Sequence, residues 1–270
     1  MWLDGSLIAQ EDARVPIENR GFLYGDGCFE TIRIHGGAPF RLDAHIDRLR
    51  SALEVLRIEP PWGSEDLRQG VRKVVEANGV VEGLARITVI AGERRTTRGM
   101  ATITSRALPE IPSQPALHVA ASVRRMSGPL SQVKSISRAA ESVALREAEA
   151  EGAFDAVLLN EKGRVVETTA RNIFLVSGGS LQTPPTYDGA LPGITRSVVL
   201  QIAARAKIRS QEISISLDRL RDADEVFLSG SGVGVLGIAS IDGHRTETPG
   251  RVTRVIQDAY ATLLDAEAKW

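Results

Sequence analysis

The chain has 270 residues, 33 Lys and Arg against 34 Asp and Glu, a formal net charge of -1, and 43% hydrophobic residues. Those proportions are those of an ordinary globular protein and argue against nucleic acid as the main partner, which would call for a clear basic excess. The single cysteine, Cys28, permits no intrachain disulfide or Cys-based zinc site, and His35, His45, His118 and His244 form no short-spaced ligand pair. No apolar run approaches the roughly 18 residues of a membrane helix, and MWLDGSLIAQED lacks a signal-peptide layout. The expectation is a soluble cytoplasmic protein.

In chain order, residues 28–34 (CFETIRI) read as a strand, 35–37 as a tight turn and 38–42 as the returning strand. Asp43 is placed to cap a helix with Ile46, Leu49, Leu53 and Leu56 at helical spacing, stopped by Pro60-Pro61. A second helix from Ser64 carries Leu67, Val71, Val74 and Val75 and ends at Asn78-Gly79. Residues 85–91 read as a strand, followed by the basic loop GERRTTRGM. Three prolines in 107–117 mark a linker, which divides a domain of residues 1–106 from a larger one of 118–270.

Beyond the linker, 117–123 has strand alternation and an Ala- and Glu-rich helix is expected over 137–151. Strands follow at 154–159, 164–166 and 171–176, then a helix from Thr195 with Val198, Val199, Ile202 and Ala203 on one stripe. Further strands are expected at 213–217, 225–228 and 233–241, and a last helix at 251–268. The fold class is α+β.

Four segments carry chemistry-bearing residues. SGSGVGVLG sets Gly230, Gly232, Gly234 and Gly237 after a strand, but continues as β-rich chain where a dinucleotide fingerprint would open a helix. LPGITR breaks the chain at Pro192-Gly193 and starts an amphipathic helix, which is either an ordinary helix start or an anion site. Lys134, in SQVKSISRAAES, reads as a surface charge or, in a partly dry pocket, as a nucleophile toward a carbonyl. Glu167, in VVETTARNIF, reads as a hairpin-edge charge or as a carboxylate opposite a cationic ring nitrogen.

Taken in order, RGFLYGDGCFETIRIHGGAPFRLDAHIDRL, VKS, GRVVETTARNIFLV, TPP and LPGITR resemble the class-IV aminotransferases, from about residue 2 to 265. The resemblance implies fold type IV: two α/β domains with pyridoxal 5'-phosphate (PLP) in the cleft between them, usually in a homodimer. It implies that Lys134 is the Schiff-base lysine and proton carrier, and that Glu167 pairs with the pyridine nitrogen. It assigns the phosphate to Arg48, to Ile194 and Thr195 at the helix start, and to Ser231. Its substrates would be a small amino acid and a 2-oxo acid, exchanged by a ping-pong route.

The departures bear on substrate choice. Ala139 stands where branched-chain enzymes have a tyrosine, and Arg138 beside it resembles 4-amino-4-deoxychorismate lyase, which releases pyruvate and 4-aminobenzoate. The SGSGV loop, with Gly232, is more similar to that of the transaminases. Arg94, Arg95 and Arg98 are available in the basic loop, without the histidine of the D-amino-acid enzymes. Arg171 is expected either to close a salt bridge at the hairpin base or, with Arg98, to bind a substrate carboxylate. Tyr24 is expected to line the same pocket. Phe29 replaces a tyrosine of the D-amino-acid enzymes.

Overall fold

The computed structural model describes residues 1–92 and 98–270, and its chain divides into two compact units. The first comprises Met1–Leu108, Val133–Arg138 and Leu264–Trp270; the second comprises Pro109–Gln132 and Ala139–Leu263. Among the described residues no helix is long and apolar enough to cross a membrane.

The first unit is built on a six-stranded sheet. Its elements are β1 (Trp2–Leu3), β2 (Ser6–Leu7), α1 (Arg20–Tyr24), β3 (Gly27–His35), β4 (Ala38–Pro39), α2 (Leu42–Leu56), α3 (Ser64–Ala77), β5 (Gly83–Ile90) and β6 (Met100–Arg106), with strand order β2-β1-β6-β5-β3-β4. Strand alternation sends Ile32, Ile34, Ile87, Val89 and Ile103 to one face, where they meet Ile46, Leu49 and Leu53 of α2 and Leu67, Val71 and Val74 of α3. Each such fully buried side chain contributes about 1.5–3 kcal/mol. The Asp66 carboxylate accepts the Gly63 N–H at 3.0 Å and fixes the start of α3.

The second unit holds two sheets. Its elements are β7 (Ala116–Val119), α4 (Ala139–Ala150), β8 (Asp155–Leu159), β9 (Arg164–Thr168), β10 (Asn172–Ser177), β11 (Ser180–Thr183), α5 (Ile194–Arg205), β12 (Ser210–Glu212), β13 (Ile215–Ser216), α6 (Leu217–Arg221), β14 (Glu225–Gly230), β15 (Gly234–Gly237), β16 (Ser240–Ile241), β17 (His244–Arg245) and α7 (Arg251–Glu267), the last residues of which count with the first unit. The sheet orders are β12-β11-β10-β14-β15 and β13-β9-β8-β7-β16-β17. Leu117, Val157, Ile173, Leu175, Val226 and Leu228 form the core here.

Several expected boundaries move, each for a local reason. The strand expected over 38–42 is only β4, because the chain turns at Arg41 (φ 56°) into α2. Asp43 lies inside the first turn rather than capping it, and pairs with Arg68 at 2.7 Å. The strand expected over 117–123 ends at Val119, beyond which the Ala121 and Ser122 N–H groups donate to the Glu147 carboxylate. The strand expected over 213–217 shortens to β13, since the Ser216 hydroxyl accepts from the Arg219 N–H and starts α6. The strand expected over 233–241 is two strands in different sheets, β15 and β16. Val133–Arg138, assigned from sequence to the 118–270 domain, packs in the first unit, with Val133 in its core.

Candidate active site

Lys134 sits in a short extended strap laid against the start of β3. The Phe29 N–H donates to the Lys134 carbonyl at 2.9 Å, and the Ile136 N–H donates to the Gly27 carbonyl at 3.1 Å. Cys28 and Ser135 face each other in an antiparallel bridge between these bonds. Gly27 is needed for this approach: a Cβ there would lie 2.4 Å from the Val89 carbonyl oxygen and 3.0 Å from Ile136. The strap leaves the half-buried Lys134 amine 4.8 Å from the centroid of the Phe29 ring. Its backbone is therefore fixed by strand pairing, while its flexible stem keeps the amine adjustable.

Under the same strand, α2 brings Arg48 and His45 to Glu30. Arg48 donates from Nε to Oε1 and from Nη2 to Oε2, both at 2.7 Å, and His45 Nδ1 lies 2.7 Å from Oε2. Burial opposes ionisation of Glu30, but the Arg48 charge and the His45 and Arg48 hydrogen bonds outweigh it and hold the carboxyl down to about 2. Burial pushes the His45 imidazole below its ordinary pKa. An ionised carboxylate only accepts, so Nδ1 carries the proton. The bidentate contact fixes the plane of the Arg48 guanidinium.

In the second unit, Glu167 lies inside β9, opposite Leu158 of β8, and is buried. The sequence placed it at the end of a strand over 164–166; the pairing continues to Thr168 and encloses it. Its Oε2 accepts the Leu191 N–H at 3.0 Å and Asn172 Nδ2 at 3.4 Å, and Arg125 Nη2 lies 3.2 Å from Oε1. The same guanidinium reaches Glu141 Oε1 from Nη1 at 2.6 Å. Three donors thus fix the orientation of the Glu167 carboxylate.

Ile194 and Thr195 open α5 after Gly193, and no acidic residue occupies the first turn to offset the helix dipole. Gly193 is required: a Cβ there would lie 2.0 Å from Asn172 Oδ1. The glycine-rich segment forms an antiparallel hairpin, with Gly230 paired to Gly234 and Ser231 and Gly232 half-buried in its turn. The Ser229 hydroxyl, two residues before Ser231, is buried with no hydrogen-bond partner among the described residues. Such a group costs free energy unless something pairs with it.

Of the residues singled out in the sequence, Lys134, Arg48 and Arg138 belong to the first unit and Glu167, Ile194, Thr195, Ser231 and Gly232 to the second. Tyr24 is 65% exposed, with Arg20 over its ring, and Arg98 lies over Trp62. Arg94 and Arg95 lie outside the described residues. Arg171 forms the salt bridge: Nη1 meets Oδ2 of the fully buried Asp155 at 2.5 Å, and the guanidinium lies over Phe154. That pairing is the salt-bridge alternative the sequence offered. Sequence reading missed Glu30, His45, Arg125 and Glu141. Only Glu30 had a visible signal, an acid on the core-facing phase of CFETIRI. Among the described residues, no group of His, Cys, Asp and Glu is arranged to hold a metal ion.

A family model described as amino-transferase class IV matches residues 27–241. A putative branched-chain-amino-acid aminotransferase of Methanocaldococcus jannaschii is 33% identical over 100% of this chain and 97% of its own length. A D-alanine aminotransferase of Listeria monocytogenes is 30% identical over 89% of this chain and 87% of its own. The structure of a Thermoproteus uzoniensis branched-chain aminotransferase with norvaline superposes with a TM-score of 0.92 and 31% identity, covering 98% of this chain and 95% of that one. A branched-chain amino acid aminotransferase from T.th. with pyridoxamine 5'-phosphate gives 0.89 and 26% over 99% and 93%. A putative 4-amino-4-deoxychorismate lyase of Legionella pneumophila gives 0.87 and 28% over 96% and 97%.

Proposed function

Because the chain belongs to the class IV aminotransferase family, we propose that it is a PLP-dependent aminotransferase acting between a small amino acid and a 2-oxo acid. The reading is of the D-amino-acid or branched-chain type, by a ping-pong route, in a cytoplasmic homodimer. The observation that carries it is the Lys134 strap, a lysine held by main-chain pairing with its amine beside an aromatic ring.

The donor set supports the fit of PLP. Lys134 supplies an amine for the aldehyde, Glu167 a buried carboxylate for the ring nitrogen, and Arg48, Ile194, Thr195 and Ser231 donors for the phosphate. The unpaired Ser229 hydroxyl and the acid-free first turn of α5 are unmet demands of the kind an anion satisfies. PLP, when bound, supplies an electron sink for charge developing at the substrate Cα. In this reading Lys134 Nζ removes the proton from substrate Cα and holds it for return. Glu167, oriented by Leu191, Asn172 and Arg125, keeps a proton on the ring nitrogen. Tyr24, Arg98, Arg138 and Gly232 are assigned to the substrate.

The second reading, 4-amino-4-deoxychorismate lyase, is favoured by Arg138, four residues past Lys134, and by the likeness to the Legionella protein. It uses the same lysine.

One experiment tests both. Protein incubated with PLP and reduced with borohydride should carry the label on the peptide containing Lys134, and Lys134→Ala should carry none. D- and L-amino acids mixed separately with the PLP form should convert it to the pyridoxamine form. Pyruvate released from aminodeoxychorismate, with no conversion by any amino acid, would make the protein the lyase. Full activity in Lys134→Ala would overturn both readings.

A further inference from the structure

Glu167 shares its arginine with a second buried acid. Arg125 lies between β7 and α4, where its N–H donates to the Leu159 carbonyl at 2.8 Å and its Nε reaches the Gly189 carbonyl at 3.4 Å. The guanidinium is thereby held between two carboxylates: Nη1 lies 2.6 Å from Glu141 Oε1, and Nη2 lies 3.2 Å from Glu167 Oε1. Glu141 stands in the first turn of α4, where the helix dipole favours a negative charge, and is only 7% exposed.

The shorter contact belongs to Glu141, not to Glu167, and the charge count gives it a purpose. A guanidinium keeps its proton throughout the working pH range. With Glu167 alone, Arg125 would form a neutral pair. Glu141 offsets the Arg125 charge, so the three groups together carry one negative charge more than that pair. Between buried groups this charge is weakly screened and is felt at the Glu167 carboxylate. A negative charge held there favours the protonated form of a base beside it. On the neighbouring segments, Asp155 and Arg171 pair with each other, Asp188 is buried directly before Gly189, and Arg138 stands three residues before Glu141. Asn172 Nδ2 and the Leu191 N–H, which also hold Glu167, are neutral donors and add no charge.

We propose that Glu141 is a positioning residue for the ring nitrogen of PLP: acting through Arg125, it leaves Glu167 a full counter-charge for the proton on that nitrogen. The electron sink that the protonated ring provides is thereby kept toward alkaline pH, where a neutral Arg125–Glu167 pair would let the proton go sooner. This rests on the PLP-dependent reading and extends it to a residue one step behind Glu167.

The test uses the full-length protein loaded with PLP whose ring nitrogen is isotopically labelled, and follows that nitrogen by NMR as pH is raised. Glu141→Gln keeps a hydrogen-bond acceptor for Arg125 and loses the charge. In it the nitrogen should release its proton about one pH unit lower than in the wild type, the scale of one nearby charge removed. Glu141→Asp, which keeps the charge, should stay close to the wild type and guards against a folding defect in the glutamine variant. A carbocyclic analogue of PLP, with C–H in place of the ring nitrogen, separates charge from shape. Glu141→Gln should weaken PLP binding about tenfold and leave binding of the analogue unchanged. Equal weakening of both would mark a purely structural role and overturn the inference, as would an unshifted nitrogen midpoint in Glu141→Gln. If the wild type holds the proton across its whole stable range, the ratio of PLP to analogue binding alone decides. Borohydride labelling at Lys134 separates the two levels. Labelled protein that behaves alike in wild type and Glu141→Gln defeats Glu141 alone, whereas absent labelling in the wild type defeats the reading beneath it.

Discussion

Arg48 and Glu30 meet through two hydrogen bonds of 2.7 Å, Nε to Oε1 and Nη2 to Oε2, with Glu30 only 1% exposed. The contact joins α2 to the core-facing side of β3, the strand against whose other edge the Lys134 strap is laid. Any movement of Arg48 must therefore break a buried, hydrogen-bonded ion pair. The guanidinium is set before a ligand arrives, which lowers the cost of holding an anion there.

The same pair predicts an acid limb of stability. Glu30 is held down to about 2 in the fold against an ordinary value of 4.5. A carboxyl whose folded pKa is depressed contributes stability that is complete above the unfolded value and is lost as pH falls through the folded one. The window is therefore from about pH 4.5 down to about 2, and the contribution is about 3 kcal/mol at most. Urea titrations at pH 7 and pH 3 should show this loss in the wild type. Glu30→Gln should already be about 3–5 kcal/mol less stable at pH 7, with a flatter acid limb, because Arg48 is left without its counter-charge. An unchanged acid limb in Glu30→Gln would show that other carboxyls govern it.

Arg171 is predicted to act on the fold rather than on substrate. Asp155 is fully buried and accepts from the Thr168 and Thr169 hydroxyls, the Thr169 N–H and Arg171, which closes the turn directly after Glu167. Arg171→Ala leaves that carboxylate without its cation and should cost about 3–5 kcal/mol in thermal or urea unfolding. KM values for carboxylate substrates should be unchanged in whatever protein folds. A variant as stable as wild type with raised KM would return Arg171 to the substrate.

Cys28 offers a reporter of the strap. Its side chain has no exposed surface, and burial, followed by the Glu30 charge, pushes the thiol up to about 12. Because the thiolate is the reactive form, native protein at pH 8 should react with a disulfide reagent at least a hundredfold more slowly than protein in denaturant. Reaction at the unfolded rate under native conditions would mean that Ser135 and its neighbours leave β3 readily.

How much of this was legible beforehand depends on how local each feature is. The stripes of α2, α3 and α5, the turn glycines and the linker prolines follow from periodicity and backbone restriction within a few residues. The ordered motifs around Lys134, Glu167 and LPGITR are contiguous stretches, so they too were readable, and with them the family. The grouping of the Lys134 strap with the first unit was not, because it rests on main-chain bonds to Gly27 and Phe29, more than a hundred residues earlier. The change of sheet between β15 and β16 was equally invisible, since both halves read as one apolar run.

The sequence by itself determined which side chains this protein has to work with and which faces of its helices and strands they occupy. Only the tertiary structure decided how the charges are shared out: Glu30 to Arg48, Asp155 to Arg171, Glu141 and Glu167 to Arg125, and Arg86 to none of the described carboxylates. The reason is physical. Periodicity is written in neighbouring residues, whereas an ion pair depends on distance and burial, and chain folding sets both between residues far apart in sequence.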